Sequence, residues 1–275
     1  MLYYYANTGH KIGLERLRRG AALLNSLANQ GVETQFLVND FRAGLVAKEL
    51  GVQDYVTVEG VQDIDAIAEH GDSIIIDSTE DDHGRLVKYC EDFKPVWRFA
   101  HDENDKAIHD EIVLSVDTVL VDDVYFEETK KEERTLFFLG DADYDKVVLN
   151  NEAFFKSFDM ELLLGNYFFV KYEDDLAKLF STLHEPEEYT DLVKSSASVV
   201  TVSAQTALEA KASGAKVIFI HTDKALYSVN LLSAHGIHIV EGFDSAAVNE
   251  YLQNDLSIDA KVIDKIDDKK ILLKQ

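Results

Sequence analysis

Cysteine, proline, positive charge and long apolar runs are all scarce in this chain, and each scarcity excludes something. A single cysteine, Cys90, among 275 residues rules out an internal disulfide framework, and no Cys/His spacing resembles a zinc site. Cys90 reads as a small buried apolar residue. Two prolines against 46% apolar residues favour a well-buried core over disorder, except at the ends. No apolar run approaches the roughly 18 residues a membrane span needs, and the N-terminus lacks the charged region and apolar core of a signal peptide. The expectation is a soluble, cytoplasmic protein. Lys and Arg total 27 against 51 Asp and Glu, a net charge of −24. Such a surface repels nucleic-acid phosphates and anionic lipid headgroups, which argues against a nucleic-acid binder and against membrane insertion.

What is present is an alternation of short apolar, β-branched or aromatic runs with stretches of helical periodicity. Strands are predicted at 2–5, 34–38, 55–58, 73–77 and 96–99, with helices at 14–29, 42–50, 63–69 and 83–92. The second half repeats the rhythm, with strands at 135–139, 160–164, 168–170, 198–202, 217–220 and 238–240. Its helices are predicted at 145–157, 174–183, 206–213, 226–235 and 245–252. This pattern indicates βαβ units and parallel sheets. Runs such as SIIID and KVIFI are apolar on both faces, as strands covered by helices on both sides must be. The charged stretch 122–134 (DDVYFEETKKEER) lacks a sustained apolar stripe. It divides the chain into an expected N-terminal domain, 1–130, and a C-terminal domain, 131–275. The tail from Asp259 is expected to pack as a last helix or to fray.

In open parallel α/β sheets, ligands bind beyond the carboxyl ends of the strands. The segments following the strands are Ala6–Gly13, Asp77 to Glu80, Gly140 to Asp143, Ser203 to Thr206, and His221 to Lys224. The first is the richest. Asn7, Thr8, Gly9 and Gly13 permit tight turns and close backbone approach. Leu14, Leu17, Ala21, Leu24 and Ala28 then recur at helical spacing. Lys11, Arg16, Arg18 and Arg19 place four cations at the opening of that helix, where the macrodipole favours anions. Either a phosphate is recruited there, or Glu15 pairs with Arg18 or Arg19 on a solvated face. His10, in the same loop, is a possible general base. The remaining histidines show no metal-like clustering. The acidic runs 80–82 and 102–105 read as solvated acids at turns and helix starts. No metal or cofactor is expected.

The segment Ile12-Gly13-Leu14-Glu15-Arg16-Leu17-Arg18-Arg19, with Leu23, Leu24, Leu27, Gly31 and Phe36 following, resembles the N-terminal motif of the UDP-sugar hydrolase of pseudaminic acid biosynthesis. That motif reads I-G-x-G-H-x-x-R. Phe137 to Asp141 takes the place of the strand and diglycine that open the family's second domain, and Thr206-Ala207-Leu208-Glu209-Ala210 resembles its T-x-x-E-A nucleotide motif. The resemblance implies two Rossmann-like domains with parallel sheets, the GT-B glycosyltransferase-like architecture, and a UDP-linked nucleotide sugar held mainly by the C-terminal domain across an interdomain cleft. It also implies that Thr206 and Glu209 meet the diphosphate and the ribose, that Gly13 admits the sugar, and that Arg19 is the retained family arginine. Asn7, Gly140, Asp141, Ser203, Gln205 and Asp223 complete the expected binding set. The chain departs from the family at two central places: Glu15 stands for the second glycine and Arg16 for the histidine that activates water. Arginine cannot take that proton, its pKa lying above about 12. Arg16 is therefore expected to stabilise a leaving diphosphate, with His10, Glu15 or Asp77 as the base.

Overall fold

A computed structural model describes residues 1–168, 173–222, 225–254 and 260–267. The chain divides into two units, 1–123 together with 265–267, and 124–264. The division falls a few residues before the expected boundary at 130, and the segment from Lys265 belongs with the first unit, where Lys265 Nζ lies 3.5 Å from Asp123. The described part of the tail, 260–267, contains no helix.

The first unit runs β1 (Leu2–Ala6), α1 (Glu15–Ala28), β2 (Thr34–Val38), α2 (Phe41–Glu49), β3 (Tyr55–Thr57), β4 (Ser73–Asp77), α3 (Arg85–Asp92), β5 (Val96–Phe99) and β6 (Ile112–Leu114). Its six strands pair in the order β3-β2-β1-β4-β5-β6, parallel throughout. This is the doubly wound Rossmann order. The three consecutive tyrosines of β1 show why both faces must be covered. Tyr3 and Tyr5 join Leu37, Ile74, Ile76 and Tyr89 in one core. Tyr4 points the other way, edge-on to Phe36 with ring centroids 5.5 Å apart. Helix α1 lies against that second face because Gly20 has no side chain. A Cβ there would sit 2.7 Å from Tyr4 Cε1 and 2.9 Å from Phe36 Cζ, closer than carbon atoms tolerate.

The second unit runs β7 (Glu132–Phe138), α4 (Val147–Asn150), α5 (Glu152–Phe155), β8 (Glu161–Leu163), α6 (Glu173–Leu176), β9 (Thr182–His184), α7 (Tyr189–Ser195), β10 (Ser196–Thr201), α8 (Ala204–Ala212), β11 (Lys216–His221), α9 (Val229–Ala234), β12 (His238–Glu241) and α10 (Ser245–Gln253). Its sheet order, β12-β11-β10-β7-β8-β9, repeats the first unit's topology, again all parallel. The core on one face is phenylalanine-rich: Phe137 stacks near Phe155 and Phe180, at 4.8 and 6.0 Å between centroids. The helix expected at 145–157 is two short helices, α4 and α5, joined at Asn151. The helix expected at 174–183 stops at Leu176, and its last residues form edge strand β9. The expected strand at 168–170 falls largely outside the described residues.

Candidate functional site

In a doubly wound sheet the strand order reverses at one point, and the diverging loops leave a crevice there. In the first unit the reversal lies between β1 and β4, with Ala6 opposite Asp77. Asp77 ends an otherwise apolar strand and is 1% exposed. Its carboxylate accepts the Tyr4 hydroxyl at 2.8 Å and Arg19 Nε and Nη2 at 2.6 and 2.5 Å. The Arg19 guanidinium also lies 3.8 Å above the Phe99 ring. From one turn earlier on α1, Arg16 brings Nε to 3.3 Å from Asp77 Oδ1. One carboxylate therefore faces two guanidiniums. Arg19 is sealed in at 2% side-chain exposure, whereas Arg16 retains 19%, so Arg16 is the cation of the pair that a ligand can reach. Helix α1 starts there without a side-chain cap, so its opening N–H dipoles reinforce the positive field.

The loop between β1 and α1 is pinned at its base. Asn7 N–H donates to the Asp77 carbonyl at 3.0 Å. Thr8 donates from N and Oγ1 to Asn39 Oδ1 at 2.7 and 2.9 Å. Gly9 and Gly13 then close on each other through a backbone bridge, with Gly13 N–H on Gly9 O at 2.8 Å. Both take φ values open mainly to glycine, +143° and +82°, as a turn this tight demands. His10, Lys11 and Ile12 stand exposed at the tip.

One expectation is corrected here. Arg18 and Arg19 are 4% and 2% exposed, so neither lies on a solvated face. Asp77, a candidate base in the sequence, accepts from Tyr4 and from two nitrogens of Arg19, and as their counter-ion it orders Arg19 and Arg16.

In the second unit the reversal lies between β7 and β10, with Thr201 opposite Phe138. Thr201 Oγ1 donates to the Phe138 carbonyl at 2.7 Å and accepts Ser203 N–H at 2.9 Å. Ser203 caps α8 by accepting Thr206 N–H at 3.2 Å. Beyond it a polar network runs through the interior. Tyr227 OH donates to Gln205 Oε1 at 2.7 Å, Gln205 Nε2 donates to Glu209 Oε1 at 2.8 Å, and Tyr189 OH donates to Glu209 Oε2 at 2.6 Å. Thr206 Oγ1 lies 2.7 Å from Tyr189 OH and 2.8 Å from Ser203 Oγ. Gln205 and Thr206 are fully buried and Glu209 is 2% exposed. The structure engages Thr206, expected at a diphosphate, and Glu209, expected at a ribose, inside the unit, where they tie α7 to α8. Asp141 is likewise turned inward at 3% exposure, accepting Asn166 Nδ2 at 3.1 Å. Gly140, at φ +133°, leads the chain off β7. Asp223 lies outside the described residues.

Tyr4, Tyr189 and Tyr227 act as buried hydrogen-bond donors, a role that their apolar sequence surroundings do not mark. One signal was available: an aspartate closing an apolar strand and a glutamate inside an alanine-rich helix both require buried donors. Among the described residues no group of His, Cys, Asp and Glu has the arrangement of a metal site, and no helix is long and apolar enough to cross a membrane.

No protein-family model matches the chain, and no curated protein matches it. Solved structures do. The UDP-GlcNAc 2-epimerase of Methanocaldococcus jannaschii aligns over 94% of this chain and 94% of its own, with TM-score 0.55 and 12% identity. A glycosyltransferase of Rickettsia africae aligns over 92% and 86%, with TM-score 0.55 and 9% identity. The E. coli heptosyltransferase WaaC, solved with ADP-2-deoxy-2-fluoro heptose, aligns over 92% and 98%, with TM-score 0.52 and 10% identity. The chain thus has the α/β fold of GT-B glycosyltransferases and UDP-GlcNAc 2-epimerases, built from two six-stranded Rossmann-like units.

Proposed function

We propose that the protein binds a UDP-linked nucleotide sugar and releases or transfers the sugar, as a hydrolase-like or glycosyltransferase-like enzyme of surface-glycan synthesis of the pseudaminic acid type. The observation that carries this reading is the partly exposed guanidinium of Arg16 at the strand-order reversal of the first unit, held in place by Asp77. The fold shared with nucleotide-sugar enzymes and the sequence resemblance at residues 12–19 support it.

Sugar–diphosphate cleavage puts negative charge on the departing phosphate oxygen, and a preorganised cation lowers that barrier most. Arg16 supplies a fork of N–H donors matched to phosphate oxygens, and the opening of α1 adds backbone dipoles. Asp77 contributes by orientation: it fixes the Nε side of Arg16 and leaves the rest of the fork for the ligand. Neither residue removes the acceptor's proton. That step falls to His10 or Glu15 on the Gly9–Gly13 loop and the first turn of α1.

A second reading, a non-catalytic nucleotide-sugar binder or interaction protein, is favoured by one specific observation: position 16 carries no base and Asp77 is consumed as a counter-ion. The two readings separate experimentally. A thermal-shift screen with UDP, CMP and GDP shows stabilisation by UDP under either. Release of UDP from UDP-sugars, lost in Arg16→Ala, identifies the enzyme. UDP binding without turnover identifies the binder. Silence from every nucleotide at millimolar concentration rejects the enzyme and the nucleotide-sugar binder and leaves the interaction protein.

A further inference from the structure

Three large apolar side chains of the first unit stand in water at one corner of its sheet. Ala6 and Val38, the last residues of β1 and β2, are paired side by side, so the β1–α1 loop and the start of α2 leave the sheet as neighbours. The two Thr8 bonds to Asn39 hold them together, and α1 packs on α2 behind them. Ile12, at the tip of the loop, is 44% exposed. Phe41, the first residue of α2, is 66% exposed, and Leu45, one turn further along the helix, is 45% exposed. Phe41 is the one exposed phenylalanine among the described residues.

The backbone beneath these side chains is hydrogen-bonded. Ile12 N–H donates to the Gly9 carbonyl at 2.9 Å, and Asp40 caps α2 by accepting Arg42 and Ala43 N–H at 2.7 and 3.4 Å. The inner face of α2, with Ala43, Val46 and Ala47, is buried. The fold thus holds Ile12 outward on a closed turn, and Phe41 and Leu45 outward on a capped helix. Charge at this corner also departs from the rest of the chain. Segments 8–16 and 39–45 hold Lys11, Arg16 and Arg42 against Glu15 and Asp40, in a chain of net charge −24. Asp40 is spent on the helix cap, while Lys11 and Arg42 are exposed.

Apolar side chains gathered on a surface and rimmed by polar residues mark a binding face. A second copy of the chain is disfavoured because each brings −24. A large protein partner is disfavoured because three side chains supply far less than the ~800 Å² per partner of a standard interface. A neutral apolar ligand would leave the cations unused, and a bare anion would leave Phe41 and Leu45 in water. We propose that this corner binds an anionic amphiphile, a single alkyl chain ending in a phosphate. The chain covers Ile12, Phe41 and Leu45, and the head is drawn to Lys11 and Arg42. The assignment is independent of the nucleotide reading, since it needs no nucleotide and rests on other side chains.

The test is calorimetric titration of the full chain, without nucleotide, with three probes: decyl phosphate below its micelle concentration, decyl maltoside and inorganic phosphate. The second keeps the chain without the charge, and the third keeps the charge without the chain. Decyl phosphate should bind, with both other probes weaker by about tenfold or more. Phe41→Ser should weaken decyl phosphate by about tenfold or more, the worth of covering one phenylalanine. Leu45→Gln serves as the second variant if Phe41→Ser fails to fold, and should likewise weaken it. Val87→Ser removes a 43% exposed valine on α3 and should leave the affinity unchanged, which separates this corner from general adsorption of alkyl chains. No binding of decyl phosphate at about 1 mM, equal affinity for decyl maltoside, or unchanged binding in the folded Phe41 or Leu45 variant would each overturn the proposal. So would sedimentation with phosphatidylglycerol vesicles in the absence of binding to monomeric decyl phosphate, which would assign the corner to a bilayer surface instead.

Discussion

Replacing Asp77 by Asn isolates the feature on which the first unit's site is built. The amide keeps the size of the carboxylate but removes the charge that faces Arg19 and Arg16, and turns one acceptor into a donor pointed at guanidinium N–H groups. Arg19 is 2% exposed and fixed over Phe99, so it cannot swing out to water. Breaking a buried ion pair by removing one partner costs about 3–5 kcal/mol, because the other charge stays buried without compensation. Each kcal/mol moves a midpoint by about 2–4 °C in domains of this general size. A drop on the order of 10 °C is expected for the first unit's transition, followed by tyrosine fluorescence or calorimetry. Arg19→Met alone should cost a comparable amount, while the double variant Arg19→Met/Asp77→Asn should recover part of the loss, since the one charge it leaves, on Arg16, is partly exposed. Arg16→Ala, by contrast, should shift the midpoint little, because its 3.3 Å contact is partly exposed. A midpoint for Asp77→Asn within one degree of the parent would refute the reasoning.

Two further outcomes follow from the structure. Tyr189→Phe deprives Glu209 and Thr206 of a shared buried partner, so urea unfolding should show a loss of about 1–3 kcal/mol. A fully retained midpoint would mean that Glu209 is not held from that side. Hydrogen bonding from Arg98 holds the Asp105 carboxyl down from its usual 3.8 to about 2. A lowered native pKa means that the unfolded chain binds the proton more readily. The stabilisation is thus complete above about pH 4 and disappears as the pH falls toward 2. Acid titration of unfolding should show that limb, and Asp105→Asn should flatten it; an unchanged limb would contradict the assignment.

Much of the fold was legible because burial on both faces leaves a strong imprint. YYY, SIIID and KVIFI cannot be surface strands, and each is a central or near-central strand in the sheet. The elements that escaped are short and lie at edges. β6 and β9 have three residues each, too few for periodicity to register. β9 was hidden because its apolar Leu183 continued the pattern of the helix before it, and α7 sits in a charged stretch. The β1–α1 loop was legible as a site because glycines and cations coincide there. The burial of Arg18 and Arg19 was not, since arginine is ordinarily exposed and only its distant partner, Asp77 on another strand, reveals the role. The same holds for Glu209, whose donors come from Tyr189 on α7 and Gln205 on its own helix. A motif of hydroxyl and acid at helical spacing looks identical whether it faces a ligand or the interior.

The most direct measurement of the central claim is paired titration of uridine and UDP into the parent chain and Arg16→Ala. If Arg16 serves the diphosphate, the substitution should leave uridine affinity unchanged while lowering UDP affinity by about tenfold or more, the worth of a charge-assisted pair to phosphate. An equal response of the two ligands, or UDP binding as tight in Arg16→Ala as in the parent, would contradict the account.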